Sequence, residues 1–204
     1  MALSCPVGFD AEKLREEVSQ MYARVVDDPN GDFHFHRGTN YAVEFLGYDR
    51  EKLDQLPTET TAAFAGVGNP HAIDDIMPGQ TVVDIGSGAG TDLFLAAMSV
   101  GSTGTAIGVD MTDAMLARSR ASAAALGLTQ VDLRKGDAET LPVDDGTADV
   151  IISNGVLNLT TDKTKAFQEI HRVLKPGGRL LLADIVVESE LSEGIRNDID
   201  LWAS

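Results

Sequence analysis

The residues of this chain best placed to do chemistry are carboxylates at the ends of apolar runs, the first of them leading directly into a glycine turn. Asp84 precedes Gly86, Ser87, Gly88, Ala89 and Gly90, after which Asp92 can begin a helix. Glycines at such a turn permit positive φ and close backbone approach, so a ligand can lie on the loop and face the helix N-terminus. A dinucleotide fingerprint, G-x-G-x-x-G, needs glycine or alanine at position 91, where this chain has Thr91; the loop reads D-x-G-x-G-x-G from Asp84 instead. Asp110 lies 20 residues beyond Gly90, just ahead of Met111, where a carboxylate can accept both hydroxyls of a ribose. Gly136, Asp137, Ala138 and Glu139 end a third run, and an acid there could accept from the exocyclic amine of an adenine. Asn154, after a fourth run, falls where a cofactor pocket and an acceptor pocket should meet.

The histidines carry less. His34 and His36, in FHFHRG, would share one face of a strand and are candidates for a general base, with Tyr22 nearby in an amphipathic segment. Without a third ligand they do not make a metal site. His71 and His171 have no functional context, and the single cysteine, Cys5, can form neither an internal disulfide nor a multi-cysteine zinc site.

The surrounding pattern says what must position these groups. TVVDI, TAIGVD, VDLRKGD, DVIIS and RLLLADIVV read as five strands, from Thr81 to Val187. Helices are expected over Thr91–Val100, over Asp113–Leu126 with Gly127 as the stop, and over Asp162–Leu174 ahead of the Lys175, Pro176, Gly177, Gly178 turn. Strands separated by helices of this length imply right-handed crossovers and a mostly parallel sheet with helices on both faces, a Rossmann-like α/β fold. Upstream, residues 10–26 place Leu14, Val18, Met21 and Val25 at helical spacing, and the stretch from Asp27 to Gly79 reads as loop-rich with one or two short helices. The expected division is an N-terminal cap over residues 1–78 and a cofactor-binding core over 79–204.

At 204 residues, 43% hydrophobic and 24% charged, the chain has the balance of one globular domain. No run approaches the length needed to span a bilayer, and the first residues lack a signal-peptide pattern. A formal charge of −16 disfavours nucleic acid and anionic membranes as partners. The expectation is a cytoplasmic protein acting on a small molecule.

VDIGSGAG, GVDM, GDAETLP, DVIISNGVLNL and LKPGGRLLLADI, spread over roughly residues 80–187, resemble the ordered motifs of class I S-adenosylmethionine-dependent methyltransferases. Within that class GVGNP, GVDMT, SNGVLNLTTDK and IHRVLKPGGRL resemble the arsenite methyltransferases. The resemblance implies S-adenosylmethionine as cofactor, held by Tyr22, Asp84, Gly86, Ser87, Gly88, Gly90, Asp110, Met111, Asp137, Ala138, Glu139 and Asn154, with Tyr22 closing over it and Asp84 suiting the ammonium of its methionine end. The family binds arsenic(III) through cysteine thiolates in segments that here carry Val67 and Gly155, neither of which supplies a soft donor.

A small acceptor of another kind is therefore expected, nearest in type to the ring carbons methylated in ubiquinone and menaquinone synthesis. The alternatives are a catalytically silent cofactor-binding or interaction protein and an NAD-dependent oxidoreductase. No catalytic residue and no metal ligand is assigned. The resemblance also implies a sixth and a seventh strand that have no counterpart before Ser204, which leaves strand five as an apolar edge and predicts a homodimer or another self-association through it, or else an edge covered by the cap. A third metal-binding cysteine of the family would correspond to about position 205, just past Trp202.

Overall fold

The structure, a computed structural model, describes residues 11–28, 31, 33 and 35–186. Cys5, His34, Val187, Trp202 and Ser204 lie outside them. Five strands, β1 (Thr81–Ile85), β2 (Thr105–Asp110), β3 (Val131–Lys135), β4 (Ala148–Asn154) and β5 (Leu174–Ala183), form one sheet in the order β3-β2-β1-β4-β5, and every neighbouring pair is parallel.

The central strands are mostly apolar because both of their faces are covered. Alternate residues divide between the faces. Val83, Ile85, Ile107, Val109 and Ile151 pack with Ala166, Ile170 and Val173 of the helix α7 (Lys163–Val173). Val82, Val150, Ile152 and Leu181 pack instead with Ala96 and Val100 of α5 (Thr91–Val100), and Ala106 joins Leu93 and Phe94 of the same helix. A one-residue slip in any central strand would exchange these two sets of partners. Phe94 is fully buried, so truncation to alanine would cost about 3 to 5 kcal/mol.

The fifth strand departs from the sequence expectation. It runs over Leu174–Ala183 rather than 179–187, because the pairing of Ala148 with Leu174 is followed directly by Val150 with Arg179. Lys175, Pro176, Gly177 and Gly178 are extruded as a bulge: proline has no N–H for the ladder, and Gly177 sits at φ +80°. Residues 184–186 are not strand, and Ile185 and Val186 are exposed.

Upstream of the sheet, α1 (Ala11–Asp27) is as long as its apolar spacing predicts and packs on α6 (Asp113–Leu126). The following segment holds more helix than expected: α2 (Gly38–Glu44), α3 (Arg50–Leu53), α4 (Thr58–Ala62) and a 3-10 turn at Pro70–Ala72. These helices are too short for a hydrophobic period to register. Tertiary contacts hold them, with Ala42, Tyr48, Leu53 and Leu56 entering the α5 side of the core.

Candidate functional site

The order of strands reverses at β1, which has β2 on one side and β4 on the other, and ligands of open α/β sheets bind outside the carboxyl ends of strands at such a point. A cavity lies there. Its walls come from the glycine loop, from the ends of β2, β3 and β4, and from Arg15, Val18 and Tyr22 of α1 with residues 63–66 above.

The glycine loop is built for close approach. Gly86, Gly88 and Gly90 all have positive φ, and Gly90 is the left-handed residue before α5, where a Cβ would overlap the Phe94 ring and Ser119. At Gly88 the reverse holds: a Cβ would meet nothing nearer than Met115 Sδ at 3.9 Å, so the space above it belongs to the cavity. Asp110 ties this loop to β2, accepting from the Gly88 N–H at 2.8 Å on one oxygen and from the Thr112 N–H at 2.8 Å on the other. Burial pushes the Asp110 carboxyl above its ordinary pKa despite these bonds.

Asp84 is 3% exposed and lies beside the Leu93 N–H, and its Oδ2 is buried with no hydrogen-bond partner among the described residues. Burial raises its pKa, and the neighbouring charges of Asp92 and Asp110 raise it further. Ser87 Oγ is likewise buried and unpartnered. Both residues border the cavity, and a buried polar atom without a partner is costly unless a donor reaches it. An ammonium opposite Asp84 and the hydroxyls of a ribose opposite the remaining lone pairs of Asp110 would satisfy them, so the residues present fit the methionine and ribose parts of S-adenosylmethionine.

The acidic pair after β3, Asp137 and Glu139, is arranged otherwise. Glu139 is buried, yet its carboxylate already receives the Thr161 hydroxyl at 2.6 Å, the Thr161 and Asp162 N–H groups at 2.8 and 3.0 Å, and Arg15 Nη2 at 2.7 Å. Those donors hold its pKa down against burial, and they make Glu139 an anchor for α1 and for the loop before α7. Asp137 accepts from the Glu139 N–H at 2.7 Å and stands 3.6 Å from Arg15 Nε, which leaves it the freer acid at this end. Ala138 between them is buried in the core.

Asn154 borders the cavity, but its amide is engaged. The oxygen accepts from the N–H groups of Val67 and Gly68 at 2.8 and 3.1 Å, and the nitrogen donates to Asp92 Oδ2 at 2.9 Å and Gly68 O at 3.0 Å. Tyr48 completes the clamp by donating to Asp92 Oδ1 at 2.6 Å. His71 Nε2 stands 3.3 Å from the same oxygen. Burial, and then the charge of Asp92, raise the Tyr48 pKa. Gly66 is obligatory here, since a Cβ would overlap the Asn154 amide. Sequence reasoning missed Arg15, Tyr48 and His71, and gave Asp92 no role beyond starting a helix; the position of Asp92 directly after the glycine loop was the one available signal.

Tyr22 lines the cavity, stacks on Phe35 at 5.8 Å, and has its pKa pushed up to about 12 by burial and the charge of Asp110. Met111 lines the same wall beside Leu14 and Val18. His36 is not part of the site. Residues 35–37 are not strand, and its ring stacks on Tyr41 at 5.2 Å and Phe45 at 6.4 Å. Val67 and Gly155 do come together: a Cβ on Gly155 would stand 3.1 Å from Val67 Cγ1.

A family profile described as a methyltransferase domain matches residues 76–204. The arsenite methyltransferase of Halobacterium salinarum is 37% identical over 204 residues, which covers 94% of this chain and 52% of that one. A ubiquinone/menaquinone biosynthesis C-methyltransferase of an Enterobacter species is 42% identical over 111 residues, 53% of this chain and 44% of its own. Among solved structures, an arsenic(III) S-adenosylmethionine methyltransferase from Chlamydomonas reinhardtii superposes with a TM-score of 0.67 at 34% identity, covering 76% of this chain and 56% of that one. The chain thus spans about half the length of the curated relatives it matches. Neither the oxidoreductase reading nor the silent-protein reading finds support in these likenesses. With its glycine loop, the carboxylate at the end of β2 and these relatives in agreement, the chain belongs to the class I S-adenosylmethionine-dependent methyltransferases, close to the arsenite methyltransferases.

Proposed function

We propose that this cavity binds S-adenosylmethionine and that the chain transfers its methyl group to a small acceptor that is not held by thiolates. The observation that carries the reading is the glycine loop, whose Gly88 leaves room for a ligand, together with the carboxylates of Asp84 and Asp110 that border the cavity beside it. When bound, S-adenosylmethionine would supply an electrophilic methyl group to an electron pair of the acceptor, a lone pair or a carbanion, as its carbon–sulfur bond breaks. The protein's part is orientation and exclusion of water. Asp84 receives the ammonium, Asp110 the ribose hydroxyls and Asp137 the adenine amine, with Tyr22 and Met111 packing along the ligand. Residues 1–78 act as a cap that closes the cavity through Arg15, Tyr22 and the 63–66 loop.

The acceptor side is walled by Phe64, Val156 and Leu159, together with Gly155 and its neighbour Val67. Hydrocarbon at these positions supports an apolar acceptor over a metalloid. A cytoplasmic setting belongs to the same proposal, supported by a cysteine content of one. Self-association through β5 does too: among the described residues it pairs only with β4, and sedimentation velocity measures it. No described helix is long and apolar enough to cross a membrane.

Calorimetric titration with S-adenosylhomocysteine beside NAD tests the cofactor. Binding of the first alone is expected, and binding of NAD alone would overturn the reading.

A further inference from the structure

Among the described residues, five acids line the cavity, Asp84, Asp92, Asp110, Asp137 and Glu139, against one residue of the lysine and arginine type, Arg15. Arg15 is already engaged by Glu139 at 2.7 Å and Asp137 at 3.6 Å. On the reading above, the ammonium of the cofactor answers Asp84, and the ribose hydroxyls, which are neutral, answer Asp110. Asp92 is left over. It is 7% exposed, and its donors Tyr48 and Asn154 are neutral groups that solvate a carboxylate without cancelling its charge. The groups facing it are those two, His71 at 3.3 Å, and Asp84, whose unpartnered Oδ2 marks the same pocket as short of positive charge.

We propose that Asp92 biases this cavity toward the cationic methyl donor and against the neutral demethylated product. The inference rests on the cofactor assignment and goes beyond it. Donor and product share the ammonium, the carboxylate, the ribose and the adenine; they differ by the single positive charge of the sulfonium. Contacts common to both cannot distinguish them, whereas a fixed carboxylate with no lysine or arginine paired to it among the described residues can. Asp92 needs no contact with the ligand for this, because a charge interaction in a poorly solvated cavity decays slowly with distance. Loss of the sulfonium charge on transfer would then weaken binding and favour release of product.

The test is calorimetry on the full chain with S-adenosylmethionine, S-adenosylhomocysteine and sinefungin, whose protonated amine replaces the sulfonium charge. Asp92→Asn keeps the shape and should lower the preference for S-adenosylmethionine over S-adenosylhomocysteine by about five- to thirtyfold, an effect of the size expected for one charge at this range. Sinefungin should follow S-adenosylmethionine. Tyr48→Phe removes a hydrogen bond to Asp92 without changing charge and should leave the preference within twofold. His71→Lys, which sets a permanent cation beside Asp92 and keeps its other donors, should shift the preference in the same direction as Asp92→Asn and stands in if that variant does not fold. An unchanged preference in Asp92→Asn, or in its stand-in, overturns the inference while the cofactor reading survives, as does a shift of equal size in Tyr48→Phe. Failure of the wild type to bind any of the three ligands overturns both.

Discussion

The carboxylate of Asp110 holds the N–H of Gly88 at 2.8 Å, so the acid expected to meet the ribose also sets the height of the glycine loop. One substitution therefore reaches two parts of the cofactor site. Asp110→Ala should weaken S-adenosylhomocysteine by about 1.5 to 3 kcal/mol, the worth of charge-assisted hydrogen bonds, and leave the protein folded. Unchanged affinity measured by calorimetry on a folded variant would remove Asp110 from the site.

Asp84 predicts an opposition between stability and function. Its folded pKa is raised, so the native state binds its proton more tightly than the unfolded state does. The sign is then negative: Asp84 makes stability fall as pH rises from the ordinary carboxylate range through the raised value. Asp84→Asn should raise the thermal midpoint of the ligand-free protein at neutral pH and flatten that dependence, while weakening S-adenosylmethionine. A variant that loses stability at pH 7 would contradict the burial argument.

Gly88→Val separates backbone strain from ligand exclusion. At φ +53° a side chain is strained by about 1 to 3 kcal/mol, but beyond the adjoining residues the nearest atom to the new Cβ among the described residues is Met115 Sδ at 3.9 Å. The expected product is a folded, somewhat less stable protein that does not bind S-adenosylhomocysteine, as read by circular dichroism and calorimetry together. Retained binding would place the ligand elsewhere.

Glu139 should behave as a structural residue. Glu139→Ala leaves the Thr161 and Asp162 N–H groups and Arg15 without their acceptor and should cost about 2 to 3 kcal/mol in chemical denaturation. Because its folded pKa is lowered, the stability it adds is present above the ordinary glutamate range and is lost as pH falls through the folded value. Equal stability of variant and wild type at pH 7 would show that these bonds contribute nothing.

With Val67 and Gly155 facing each other and no thiol on either, arsenite should not be turned over in an assay with labelled S-adenosylmethionine. A screen over quinols and other apolar acceptors should find the activity instead. Clear arsenite methylation by this chain would reverse the acceptor assignment.

The alternation of short apolar runs with helical segments, and the glycine turn after Asp84, were legible because each is a local pattern of period or spacing. They specified a parallel sheet, its helices and the end of the sheet that binds. Even there the bulge at Pro176 and Gly177 moved β5 forward, since pairing with β4 rather than hydropathy sets where a strand begins. The clamp on Asp92 was not legible. Its partners Tyr48, Asn154 and His71 lie 44, 62 and 21 residues away in the chain, and no periodicity links them. The same limit applies to Glu139, which reads as a binding acid beside Asp137 until Arg15, 124 residues upstream, and the backbone of 161–162 fill its lone pairs. Residue type and local spacing determined which groups could bind; only the folded chain decided which of them still have a lone pair to offer, because that depends on donors brought in from distant segments.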